Sequence, residues 1–155
     1  MKWKLPPEIK IYEALGCIGD DRVRIGDNEA KVYSSSGNKF YVVKYSPGEN
    51  AIMANDNGSY WQNYLGYPSI AFLMKIGAIS FDSIYAKALE GIAWKDINTQ
   101  FKNDFDKTAG YVHSLLNGKG ISTEDFLNEI EHIAGQIKKL DLLMLGHKIK
   151  PPTGY

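Results

Sequence analysis

Between Asn55 and Tyr67 the chain reads NDNGSYWQNYLGY, its densest supply of side chains with chemistry. Asn55, Asp56 and Asn57 bring amides and a carboxylate, and Tyr60, Trp61, Tyr64 and Tyr67 bring flat rings with polar tips. Such rings suit recognition of a protein surface, a nucleobase or a sugar. At helical spacing Tyr60, Tyr64 and Tyr67 share a face and Trp61 lies at its edge. The competing reading is that the same rings roof a sheet as core. These seven residues form the expected binding surface.

Other constellations are weaker. His113, His132 and His147 make no i, i+4 pair with one another and sit in no tight carboxylate cluster, so no metal site is expected. Asn55–Gly58 superficially matches a calcium loop, yet position twelve of that loop falls on Gly66 where a glutamate is needed. Ser34-Ser35-Ser36 lies in a hairpin turn without the glycine-flanked elbow of a serine nucleophile. Asp104, Asp106, Glu124, Asp125, Glu129 and Glu131 fall on helices whose opposite faces are apolar, which is how a solvated face looks. Cys17 is the sole cysteine, so neither an internal disulfide nor a thiolate zinc site can form within one chain. No glycine-rich phosphate loop is present. No catalytic residue and no cofactor is expected, and the balance leans away from an enzyme.

The whole chain narrows the classes further. Its 155 residues are 44% hydrophobic and 23% charged, enough for a globular core. Eighteen basic side chains balance eighteen acidic ones, which argues against a broad electrostatic grip on nucleic acid. Only Arg22 and Arg24 carry guanidinium groups, so phosphate forks are poorly supplied. The N-terminus lacks a signal-length apolar segment, and the longest apolar run, around Ile70–Met74, is far short of the roughly 20 residues of a membrane span. A cytoplasmic protein without a membrane anchor is expected.

The elements that position these groups can be read in order. Pro7 suits entry to a helix over Glu8–Leu15 that stops at Gly16, with Ile9, Tyr12 and Leu15 on its buried face. Ile11 is marginal in that register, and Cys17 reads as a small buried apolar group. Strands follow at Arg22–Ile25, Ala30–Ser34 and Lys39–Tyr45, with a short fourth at Ile52–Ala54. The third strand is apolar on both faces, which predicts that it is central or covered on both sides. A buried helix is expected over Ser69–Lys75, and another after Phe81-Asp82-Ser83. Trp94, Ile97, Phe101 and Phe105 make one stripe of a helical hairpin, extended by Val112 and Leu115 or Leu116. Its second arm carries Phe126, Ile130, Ile133, Ile137, Leu140 and Met144 as a heptad seam ending at Gly146. That seam must face another helix, either the preceding one or a second copy of the chain. The expected fold is α+β: a small antiparallel sheet of three to four strands, helices and a long C-terminal helical hairpin. Residues 1–93 form the α+β part, 94–146 the hairpin packed on it, and 147–155 a flexible tail.

The order of features over residues 32–77 resembles the SWIM-type zinc module: hairpin, C-x-C pair, aromatic-bearing loop, C-x-H, apolar helix. Here Ile52 and Ala54 stand at C-x-C, Gly66 and Pro68 at C-x-H, and all four metal ligands are replaced. What the resemblance implies is a metal-free adaptor that binds protein or nucleic acid. The leading expectation is therefore a non-catalytic interaction module contacting a protein, or secondarily nucleic acid, through Asn55–Tyr67. One alternative is a small-ligand protein or enzyme with a pocket at the same cluster; a deep cleft bounded by Asp56, Tyr60 and Trp61 would favour it. The other is a homo-oligomer built on the heptad seam.

Overall fold

The computed structural model describes residues 1–153; the last two positions of the expected tail, 154 and 155, lie outside the described residues. Among the described residues the fold is α+β, with six α-helices on one side of a five-stranded sheet. Strands β1 (Val23–Ile25), β2 (Ala30–Tyr33), β3 (Phe40–Ser46) and β4 (Ala51–Ala54) run antiparallel in chain order. The fifth, β5 (Leu143–Met144), lies parallel to β4.

Side-chain alternation sets the buried face of the sheet. Val23, Val32 and Tyr41 form one cross-strand row and Ala30, Val43 and Ala54 the next, all buried. On the other face Phe40 and Lys44 are exposed and Val42 is half-buried. The third strand is thus central in the ladder, one of the two placements expected for it, and is covered on one side. Its outward apolar groups instead pair locally: Phe40 packs on Tyr33, centroids 5.7 Å apart, under the Lys31 ammonium.

Helix α2 (Tyr67–Lys75) lies on the sheet, and α1 (Glu8–Gly19) lies on α2. Beyond α1 come α3 (Ser83–Ala88), α5 (Phe105–Gly118) and α6 (Thr123–Leu140), with α4 (Trp94–Gln100) leading into α5. A helix wedged this way is apolar nearly all round, which corrects the single-face reading of α1: Ile11 and Cys17 are as buried as Ile9, Tyr12 and Leu15. The helix also runs through Gly16 to Gly19. Gly16 is not a stop but a contact, because the Trp94 indole lies so close that a Cβ at Gly16 would stand 2.7 Å from its Nε1.

The C-terminal third differs from a simple hairpin in two places. Phe101–Asp104 breaks the first arm, with Lys102 and Asn103 in left-handed conformation and Asp104 accepting from Lys107 N to cap α5. The second arm is capped by Ser122, which accepts from Asp125 N at 3.1 Å. It ends at Asp141, left-handed with φ 49°, rather than at Gly146. Met144 is therefore a strand residue. An apolar run of Leu142-Leu143-Met144 serves either period, and the open edge of β4 captured it. The seam itself is consumed within the chain: Phe126, Ile130, Ile133 and Ile137 are buried, facing α1 and α5. Those four residues thus face helices of their own chain, the first of the two partners expected for the seam. No helix among the described residues is long and apolar enough to cross a membrane.

Candidate functional site

A cleft of about 800 Å³ opens between the Lys10–Glu13 flank of α1, the 55–67 loop, the β2–β3 turn and α4. That volume is of the size small-molecule sites occupy. Pro7, at the N-cap of α1, and Lys10 and Glu13 within it line the cleft at i, i+3 spacing, a single stripe that continues to Gly16 under Trp94.

The loop wall is built by hydrogen bonds and two missing side chains. Asn55 Oδ1 accepts from Val42 N at 2.8 Å, closing the β3–β4 ladder with a side chain in place of backbone. Asp56 then turns inward, accepting from Ser59 N at 3.2 Å and from Ser59 Oγ at 2.5 Å. Its carboxylate rests on Gly66, where a Cβ would lie 1.9 Å from Oδ2, so only glycine fits. The Tyr64 ring rests on Gly58 in the same way, 2.4 Å from a would-be Cβ. The N-terminal segment ties the wall to the sheet: Lys4 N donates to Asn63 O, and Leu65 N to Lys4 O. Leu143 of β5 bridges to Lys2 nearby.

The floor holds buried charge. Lys10 Nζ donates to Glu13 Oε2 at 3.2 Å, Asn98 Nδ2 donates to Glu13 Oε1 at 2.9 Å, and Lys10 lies 5.2 Å from the Phe105 ring centre. Burial pulls the Lys10 pKa down, but Glu13, Tyr64 and Asp56 outweigh it, and the net shift is upward. Burial raises the Asp56 pKa against the pull of the Ser59 hydrogen bonds and Lys10. The Tyr64 and Tyr67 phenols are raised by burial as well, and the Arg22 guanidinium tempers but does not overcome this at Tyr67.

Arg22 reaches in from the connection between α1 and β1. Its Nη1 donates to Tyr33 O at 2.8 Å and its Nε to Asp20 Oδ2 at 3.3 Å, with the Tyr67 ring centre 5.8 Å from Cζ. Its Nη2 has no partner. Trp94 Nε1 has none either. Among the described residues four buried side-chain polar atoms are orphaned, the other two being Asn63 Oδ1 and Ser69 Oγ. Arg22 and Trp94 both line the cleft. An orphaned buried donor costs on the order of 1–3 kcal/mol, so such atoms need a reason.

One family model matches residues 3–143. The chain belongs to that family, described as Uncharacterised conserved protein UCP014422. The matched span includes every residue that lines the cleft. No curated protein and no solved structure matches the chain.

The seven expected binding residues divide into three groups. Asp56, Asn57, Trp61, Tyr64 and Tyr67 line the cleft, Trp61 at its rim with 63% of its surface exposed. Tyr60 lies outside it, edge-on to Trp61 at 4.6 Å, its carbonyl accepting from Lys148 Nζ at 3.1 Å. Asn55 works within the sheet. Ile52 and Ala54 lie on β4, and Gly66 and Pro68 at the start of α2. Among the described residues no cluster of histidine, cysteine and carboxylate side chains suits a metal ion. Lys10, Glu13, Arg22, Trp94 and Asn98 escaped the sequence reading. A Lys/Glu pair three apart is ordinary helix surface, and only its place on a helix otherwise buried all round marks it.

Proposed function

We propose that the protein binds a small organic ligand in this cleft. The observation that carries the reading is the convergence, in one concavity of about 800 Å³, of aromatic walls with buried charged side chains from four separate parts of the chain. The arrangement favours binding over proton transfer. Glu13 has both oxygens held by Lys10 and Asn98, and both oxygens of Asp56 accept from Ser59. The test is ligand-observed NMR with a fragment library, run on the wild type and on Thr99→Trp. Thr99 is exposed on the cleft lining, so the larger ring obstructs the opening at little cost in stability. The expected result is a set of ring-bearing hits lost in the variant. Hits that bind both proteins equally overturn the reading.

A second reading is supported by the rim. Trp61 is 63% exposed and braced by Tyr60, the form of an aromatic anchor for a protein partner. It is also the role the resemblance to the SWIM-type module implies. Trp61→Ala abolishing capture of a partner protein while leaving fragment binding intact would favour this second reading.

A further inference from the structure

We infer that the cleft takes a small, flat organic carboxylate, its oxygens accepting from Arg22 Nη2–H and Trp94 Nε1–H and its ring lying along Tyr64 and Phe105. This rests on the ligand-binding reading above and names the ligand's chemistry.

Both side chains are more than nine-tenths buried, at 8% and 4% exposure, line the cleft and end in a nitrogen without a partner. Guanidinium and indole nitrogens donate and do not accept, so what satisfies both is an acceptor. The two stand at the same end of α1. Arg22 N donates to Cys17 O at 3.1 Å, and the Trp94 indole covers Gly16 one residue earlier.

Charge favours a carboxylate over a neutral carbonyl. The lining carries three cationic side chains, Lys10, Arg22 and Lys95, against the two acids Glu13 and Asp56. The same count disfavours a phosphate dianion. Arg22 has already committed Nε–H and one N–H of Nη1 to Asp20 and Tyr33, which leaves Nη2 as the nitrogen without a partner. A single negative charge with two acceptor oxygens matches what is left. Both orphaned nitrogens are closed to solvent in the free protein, so the carboxylate reaches Arg22 by displacing the Tyr67 ring beside it. The aromatic wall receives the body of the ligand, where ring stacking is rewarded.

The full chain, labelled with nitrogen-15, is titrated with benzoate, with benzamide as the neutral counterpart and with inorganic phosphate. It has three indole N–H signals to read. Trp3 Nε1 donates to Ile52 O at 2.9 Å and is the fixed reference; Trp61 reports the rim; Trp94 reports the proposed contact. Benzoate is expected to shift the Trp94 signal downfield to saturation while Trp3 stays still. Benzamide should bind roughly tenfold more weakly, the scale of a hydrogen bond to a charged group. Trp94→Phe, which assigns the signal and removes the N–H together with part of the buried ring, should weaken benzoate by at least the same factor. Arg22→Gln should erase the preference for benzoate over benzamide. Because Arg22 also holds Asp20 and Tyr33, Trp94→Phe is the variant that decides if Arg22→Gln fails to fold. Benzoate that moves Trp61 but not Trp94 overturns this inference and leaves the ligand-binding reading standing. Phosphate that moves Trp94 as benzoate does overturns the assignment to a ring carboxylate. No movement at Trp61 or Trp94 overturns the inference, and the Thr99→Trp comparison then judges the cleft separately.

Discussion

Helix α1 looks two ways. On one side Tyr12 packs edge-on to Phe126 at 4.8 Å and shares a 2.8 Å hydrogen bond with His113, inside an apolar layer closed by α6. On the other side Lys10 and Glu13 face a cleft with buried ions and orphaned donors. Twelve residues of one helix thus meet opposite demands. The first side maximises apolar contact and satisfies its few polar atoms, which is what stability asks. The second keeps space and leaves donors unpaired, which stability alone would have eliminated. A region that violates the local rules while its neighbour obeys them is the one to suspect of function.

The comparison can be broken most easily on the α6 side. Phe126→Ala removes a fully buried ring from under Tyr12 and His113 and should cost about 3–5 kcal/mol in urea unfolding. A loss under about 1 kcal/mol would mean that the α1–α6 layer does not hold the fold. Next in size is the cleft wall. Gly66→Ala forces a methyl group against the Asp56 carboxylate and should cost on the order of 1–3 kcal/mol. In the same variant the Asp56–Ser59 contact should loosen, seen as faster amide exchange at Ser59. Unchanged stability and exchange would show that the wall is not locked by that contact.

The smallest effect concerns Asp56 and pH. Burial holds its folded pKa above the ordinary 3.8, so the folded state binds its proton more tightly than the unfolded chain does. Its contribution is therefore fully present below about pH 4 and lost as pH rises through the folded pKa. Asp56→Asn has no such loss. Whatever its offset, the variant's melting temperature relative to wild type should climb between pH 4 and pH 7. A flat or falling difference would place the Asp56 carboxyl in a more polar setting than the one described.

Much of this architecture was legible in the chain. Alternation in Val23–Ile25, Ala30–Tyr33 and Phe40–Ser46 marks strands because one face of each is buried. The Ser122 cap and the seam from Phe126 to Ile137 mark α6. What was not legible depends on partners distant in sequence. Gly16 reads as a helix stop until Trp94 is laid over it, and Met144 continues a heptad until β4 offers it an edge. The site divides likewise. Its aromatic side is compressed into thirteen residues and announces itself by composition, whereas Lys10, Glu13, Arg22 and Trp94 are scattered over the chain and meet only after folding.

The most direct measurement is a crystal structure of the protein soaked in cocktails of small ring-bearing compounds. The account predicts electron density gathered in the cleft between α1, the 55–67 loop and α4, beside Tyr64 and Tyr67. Compounds that settle repeatedly elsewhere, with the cleft holding only water at full occupancy of the other sites, would contradict it.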